Sequence, residues 1–119
     1  IASVTSRRLE GNIAIVNVVS FNEETLPKFD AIVRELLLDK PKGIILDLRN
    51  NPGGLLDGAV QLTGEFVGKQ IIVKERDAAG KERGDSADRD ARLVSSALVV
   101  LVNGGSASAS EIVLPNLTP

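Results

Sequence analysis

Two short loops hold the residues of this 119-residue chain that could do chemistry. The first, at 49–54, reads Arg-Asn-Asn-Pro-Gly-Gly, and the second, at 103–110, reads Asn-Gly-Gly-Ser-Ala-Ser-Ala-Ser. Each loop follows an apolar run and leads into a helical pattern. Both loops should therefore lie at the carboxyl ends of strands, which is the edge of an open α/β sheet where ligands bind. Glycines without a Cβ let backbone N–H groups face a bound anion, and a helix start adds positive dipole. The pattern predicts an anion site or an oxyanion hole beside a serine nucleophile.

The composition limits the groups that such a serine could use. The chain contains no Cys and no His. This excludes disulfides, thiol nucleophiles, a Ser-His-Asp triad and His- or Cys-ligated metals, so the base would come from Lys, Asp, Glu or an α-amine. A net charge of −2, from 14 basic and 16 acidic residues, gives no electrostatic reason to expect nucleic acid as a partner. We expect no metal and no other cofactor.

Both loops also have a plainer interpretation. Pro-Gly-Gly before a helix is commonly only a turn. The serine run can be a capping segment, with Ser106 or Ser110 near the N-cap. The polar stretch at 75–92 favours an exposed loop or hairpin. The residues alone leave these alternatives open.

The apolar pattern predicts one α/β domain around the loops. Strands are expected at 4–9, 13–21, 43–48, 70–74 and 98–102, and helices over 23–39 and from Leu55 to Phe66. Asn22 should cap the first helix without a reciprocal capping box, since Thr25 replaces the usual glutamate. The strands before and after the second helix should be joined by a right-handed crossover. No apolar run approaches the ~18 residues that a membrane span requires.

The loops with their strands resemble segments of the carboxyl-terminal processing (tail-specific) serine peptidases. The run IILDLRNNPGGLL at 44–56 is similar to the hallmark of that family, and LVVLVN at 98–103 with GSASASEI at 105–112 is similar to its nucleophile segment. The two motifs occur in the right order, and the resemblance extends over 1–113. It implies a crotonase/Clp-like α/β core with a mixed, partly parallel sheet and flanking helices.

The resemblance also implies a Ser–Lys dyad. Its nucleophile would be Ser108, the middle serine, and its oxyanion hole would use the backbone N–H groups of Ala109 and Gly54, with Gly53 as second choice. Loops 50–54 and 103–110 should then lie side by side, with the Ser108 hydroxyl facing the glycines. The base would be a neutral lysine whose pKa is lowered by burial.

The family's lysine lies downstream of the nucleophile in a Gly-Lys-Gly-type segment, whereas all six lysines of this chain precede Ser108. They are Lys28, Lys40, Lys42, Lys69, Lys74 and Lys81. We therefore expect residues 1–119 to be an excised part of a peptidase core that is inactive alone. The missing lysine keeps open a non-catalytic relative that binds a peptide or small molecule between the loops. A crotonase-type acyl-CoA enzyme is disfavoured by the serine run, because enolate chemistry needs no serine nucleophile.

The resemblance further implies partners and a compartment. The substrates would be the C-termini of peptides or proteins, and the parent chain would carry a PDZ domain before residue 1. A homo-oligomeric assembly is compatible with the resemblance. The location would be extracytoplasmic, in a bacterial periplasm or cell envelope or in a thylakoid lumen.

Overall fold

A computed structural model describes residues 2–68, 71–76, 78–88, 90–93, 97–107, 113 and 117. The side chains of 71–76 and of residue 83 are outside this description. The elements are β1 (Val4–Leu9), β2 (Ile13–Val18), α1 (Thr25–Asp39), β3 (Gly43–Asp47), α2 (Leu56–Val67), β4 (Ile71–Arg76), β5 (Glu82–Ser86) and β6 (Ala97–Leu101). Neither helix in the described part of the chain has the length and apolar character needed to cross a membrane.

The main sheet has four strands in the order β1-β2-β3-β6. β1 runs antiparallel to β2, whereas β2, β3 and β6 are parallel to one another. The register places Val16 beside Leu46 and Leu46 beside Val100. These β-branched and aliphatic residues suit strands whose faces are covered. The predicted α/β class with a mixed, partly parallel sheet is confirmed.

The expectation that the strand after α2 returns to the sheet beside the strand before it was wrong. β4 does not join the main sheet but pairs antiparallel with β5 in a separate hairpin. The strand that lies beside β3 on the side away from β2 is β6, and it is parallel to β3. β4 and β5 together carry the sequences IIVKER and ERGDS. Charged residues fill most of this hairpin, so it lacks the apolar run that a strand buried on both faces requires. Both α2 and the hairpin therefore lie within the connection from β3 to β6.

One face of the main sheet packs against both helices and forms the core. The buried residues on the sheet include Val16, Val18, Ile44, Leu46 and Leu48, and they meet Phe29 and Val33 of α1 and Ala59 and Leu62 of α2. Each of these side chains is at most 2% exposed. Because α1 and α2 lie on this face, the carboxyl ends of β3 and β6 are held at one edge of a rigid layer.

The prediction that Asn22 caps α1 was wrong, because the helix begins at Thr25 with Glu24 at the N-cap position and no side chain caps it. The Asn22 N–H donates to the Thr25 hydroxyl (2.9 Å), and the Glu24 N–H donates to the Asn22 side-chain oxygen (2.9 Å). These bonds close the turn that precedes the helix. The Thr25 hydroxyl is buried and is also bonded to Ser3 Oγ and Ser20 O, each at 3.0 Å. These contacts tie the first residue of α1 to the segments that precede the helix.

Arg92 ties the segment after the hairpin to both helices. Its guanidinium donates to Glu65 of α2 through Nε (2.9 Å) and Nη2, and to Asp30 of α1 (2.8 Å). The hydrogen bond to Glu65 raises the pKa of the Arg92 guanidinium above its ordinary range. The backbone N–H groups of Arg92 and Leu93 also donate to the Glu65 carbonyl. This part of the predicted polar stretch is therefore anchored to the core, and it leads the chain towards β6.

Candidate active site

The loops after β3 and β6 lie side by side at one edge of the main sheet. We call residues 49–54 the glycine loop and residues 103–107, the described part of the second motif, the serine loop. The Leu48 N–H donates to the Leu101 carbonyl (2.9 Å), which extends the pairing of the two strands to the loops. The Ala107 N–H donates to the Asn51 carbonyl (3.0 Å), so the loops are joined directly as well.

Two asparagines that the sequence analysis did not single out hold the loops together. The Asn50 N–H donates to Asn103 Oδ1, and Asn103 Nδ2 donates to Asn50 Oδ1, both at 2.9 Å. Asn103 Oδ1 also accepts from the Gly105 N–H at 2.9 Å. Asn50 has φ 61°, a left-handed conformation that asparagine tolerates better than most residues. An asparagine near the start of each loop was the available signal, but sequence does not show that the two amides face each other.

Asn51 connects the glycine loop to β2 and to the serine loop. Its side chain is fully buried, with Nδ2 donating to the Val18 carbonyl at the end of β2 (2.7 Å). Its Oδ1 accepts from the Gly53 N–H (2.7 Å). Together with the bond from Ala107, these contacts make one asparagine a junction of β2, the glycine loop and the serine loop.

Gly53 and Gly54 differ in what their N–H groups can bind. The Phe21 N–H donates to the Gly53 carbonyl (2.9 Å) and the Leu55 N–H donates to the Phe21 carbonyl (2.7 Å), which makes a parallel bridge between Phe21 and Gly54. In the trans peptide between Gly53 and Gly54 the carbonyl oxygen and the N–H point in opposite directions, and the Gly53 carbonyl faces Phe21, so the Gly54 N–H faces away from Phe21. The Gly53 N–H is already bonded to Asn51. Gly54 is thus the better placed donor for an external anion.

Gly54 also occupies a position that no other residue fits. Its φ is +132°, and a Cβ built on it would lie 2.1 Å from the Phe21 carbonyl oxygen. A side chain at this position would therefore strain the backbone and break the bridge to Phe21. Both constraints come from the tertiary arrangement, since Phe21 is 33 positions earlier in the chain.

The serines of the second motif are only partly described. Ser106 Oγ donates to the Leu48 carbonyl (2.6 Å) and accepts from the Asn103 N–H (3.2 Å). Its hydroxyl therefore holds the serine loop against the end of β3. Ser108, Ser110 and Ala109 lie outside the described residues. Ser108 is the residue after Ala107, which is itself bonded to the glycine loop.

A charged pair fixes the entry to the glycine loop. Arg49 donates through Nε (3.0 Å) and Nη2 (2.9 Å) to the two carboxylate oxygens of Asp47, and its N–H adds a third bond at 3.1 Å. Such two-pronged pairing is geometrically specific as well as strong. Asp47 is 7% exposed, and the hydrogen bond from Arg49 holds the pKa of its carboxyl below the ordinary value of 3.8 despite burial.

The lowered pKa of Asp47 predicts an acid-sensitive contribution to stability. A carboxylate whose folded pKa is depressed stabilises the fold above its unfolded pKa, and this contribution is lost as the pH falls through the folded value. In the full-length protein, Asp47→Asn should be less stable than wild type at pH 7. The difference should shrink as the pH falls below about 4.

Urea unfolding between pH 7 and 3 would measure this difference. Arg49→Gln is the matched variant, because it removes the two side-chain hydrogen bonds from the opposite side and should lower stability at pH 7 as well. A gap between wild type and Asp47→Asn that widens on acidification would contradict the assignment.

The described lysines do not form a buried base at this edge, and one of them, Lys81, is exposed between β4 and β5. Lys40 and Lys42 lie at the amino end of β3, opposite the two loops. Lys28 is on the surface of α1 and pairs with Glu24 (3.2 Å). Lys69 and the side chain of Lys74 lie outside the described part.

The fold and the loop geometry define an α/β core with a candidate anion site beside a serine-rich loop. Residues 12–117 match the model of peptidase family S41, and the chain belongs to that family. The family that the two motifs indicated is thereby confirmed.

Two curated relatives and one solved structure show which members of the family the chain is similar to. The chain is 42% identical over 114 residues to a carboxy-terminal-processing protease of Bartonella bacilliformis, with 89% of this chain and 26% of that protein covered. It is 38% identical over 114 residues to carboxy-terminal processing protease CtpA of Bacillus subtilis, covering 94% of this chain and 24% of that protein. The solved photosystem II D1 C-terminal processing protease superposes with a TM-score of 0.84 at 31% identity, over 98% of this chain and 34% of that one. The chain thus spans about a quarter of the curated relatives.

Proposed function

We propose that the full-length protein is a serine endopeptidase that acts near the C-termini of protein substrates, and that this chain supplies its nucleophile and oxyanion donors. The observation that carries the proposal is the Gly54 N–H, which faces away from Phe21 in a glycine loop bonded to the serine loop. The names of the two curated relatives, both carboxy-terminal processing proteases, give the substrate class.

In this proposal Ser108 attacks the carbonyl carbon of the scissile bond. The oxyanion that forms accepts hydrogen bonds from the N–H groups of Gly54 and Ala109, which is the arrangement that stabilises developing charge best. Gly53 is less supported as a donor because its N–H is bonded to Asn51. Ser106 is less supported as nucleophile because its hydroxyl donates to the Leu48 carbonyl.

The general base in this proposal is a lysine outside residues 1–119. A neutral lysine takes the serine proton and then gives it to the leaving amine, which requires burial to lower the lysine pKa. The exposed position of Lys28 and the remote positions of Lys40 and Lys42 support a base from elsewhere. By the same resemblance we propose a PDZ domain in the parent chain, an extracytoplasmic location and no cofactor.

A serine-directed fluorophosphonate tests the proposal. The full-length protein should be labelled at Ser108, with Ser106 and Ser110 unmodified, as read by peptide mass spectrometry. Residues 1–119 expressed alone should be labelled poorly, because an unassisted serine hydroxyl is a weak nucleophile. Labelling at Ser106 or Ser110 would refute the choice of nucleophile. A full-length protein that is not labelled at all and cleaves no peptide would favour the non-catalytic relative.

A further inference from the structure

A shallow groove of about 520 Å³ lies directly beside the proposed oxyanion donor. It is lined by Phe21, Asn22, Glu23, Glu24, Gly54 and Leu55. Gly54 thus belongs both to this groove and to the glycine loop. The Gly54 N–H faces away from Phe21, but Gly54 itself lines the groove, so a peptide bound at that N–H lies within reach of the groove for a long side chain.

The walls of the groove are held in place before a ligand arrives. Phe21 is bonded to Gly53 and Leu55 through the bridge, and Asn22 is held by its reciprocal bonds with Thr25 and Glu24. A site that is already ordered loses less conformational entropy on binding. The groove therefore suits a defined side chain better than a variable surface contact.

The lining combines exposed apolar surface with negatively charged side chains. Leu55 is 50% exposed, so it offers apolar surface to an aliphatic chain. Glu23 and Glu24 also line the groove. Lys28 is paired with Glu24, whereas no ion pair is found for Glu23 among the residues that the structure describes. The groove thus carries a negative charge beside an exposed leucine.

We infer that the groove binds a lysine or arginine side chain of the substrate, at a residue close to the scissile bond. Long basic side chains lay their methylene stems on apolar surface and keep the charged group at its polar margin. Here the stem would lie on Leu55 and the cation would reach Glu23. An acidic side chain would be disfavoured by the same charge. The inference rests on the proposed function for the place of the scissile bond.

Matched peptides in the full-length protein test this inference. One substrate sequence is made with lysine, norleucine or glutamate at each position from two residues before to two residues after the scissile bond. At one position lysine should exceed norleucine about three- to fivefold in kcat/KM, as expected for an exposed charge pair. About 0.5 M NaCl should reduce the preference because the pair is screened.

Glu23→Gln should bring the lysine-to-norleucine ratio close to one, since it removes the charge and keeps the shape. Glu10→Gln is the matched control, because Glu10 is also exposed but lies in the turn between β1 and β2, and it should keep the wild-type ratio. A ratio near one at every position, or a ratio unchanged in Glu23→Gln, would overturn the inference.

A binding measurement tests the inference independently of the proposed function. Fluorescence anisotropy of the same labelled peptides on full-length Ser108→Ala should show the same order, lysine over norleucine over glutamate. If the wild-type protein cleaves no peptide, the proposed function fails. The binding order then decides by itself whether the groove selects a basic side chain.

Discussion

Ser108→Ala in the full-length protein should lower kcat for peptide hydrolysis by roughly 10⁴- to 10⁶-fold, the loss expected when a serine nucleophile is removed from an acyl-transfer site. KM should change little, because the hydroxyl contributes to the transition state and not to uniform substrate binding. A small residual rate would remain from the oxyanion donors. Steady-state kinetics with a fluorogenic peptide would measure both constants.

Ser106→Ala is the matched control for that loss. Ser106 is two residues earlier in the same run, and its hydroxyl is bonded to Leu48 and Asn103. Its removal should destabilise the fold by about 1–2 kcal/mol, the usual range for hydrogen bonds left unmade, and the protein should keep turnover and labelling at Ser108. A Ser106→Ala variant that is folded and as inactive as Ser108→Ala would contradict the assignment of the middle serine.

Gly54→Val in the full-length protein should lower kcat by about 10²- to 10³-fold, the effect of losing one oxyanion donor. The cause is geometric, because the new Cβ would meet the Phe21 carbonyl oxygen at 2.1 Å and push the Gly54 N–H out of position. The bridge to Phe21 would break, so some stability should be lost as well. Turnover and urea unfolding, measured on the same sample, would separate the two effects.

Gly11→Val distinguishes backbone strain from loss of the donor. Gly11 also has a positive φ, +80°, but nothing lies within 4 Å of a Cβ built there. This variant should therefore lose stability through strain alone and keep wild-type turnover per folded molecule. Unchanged turnover in a folded Gly54→Val protein would mean that the glycine loop is only a turn.

Local patterns predicted much of the scaffold correctly. The segment at 4–9 became β1 with the predicted bounds, and the apolar run at 43–48 became β3, which ends one residue earlier. The helical spacing from Leu26 to Leu37 became part of α1. These elements depend on periodicity and on neighbouring residues, which sequence displays directly. The same patterns could not tell which strand neighbours β3. That choice depends on which faces are covered, and the charged β4–β5 pair was left outside the sheet.

The sequence by itself determined the chemistry open to this protein: a chain without His or Cys, with a Gly-Gly loop and a serine run, each directly after an apolar strand. The sequence also indicated the family, since each of the two motifs is a short, nearly continuous stretch of the chain. Only the tertiary structure decided which groups within the motifs are free to act. The Gly53 N–H is taken by Asn51 and the Ser106 hydroxyl by Leu48, while the Gly54 N–H is turned away from Phe21. The reason is that a hydrogen-bonding group is available only when no partner reaches it. Folding brings Leu48 to Ser106, and it brings the Val18 carbonyl to Asn51, which holds the Asn51 side chain against the Gly53 N–H.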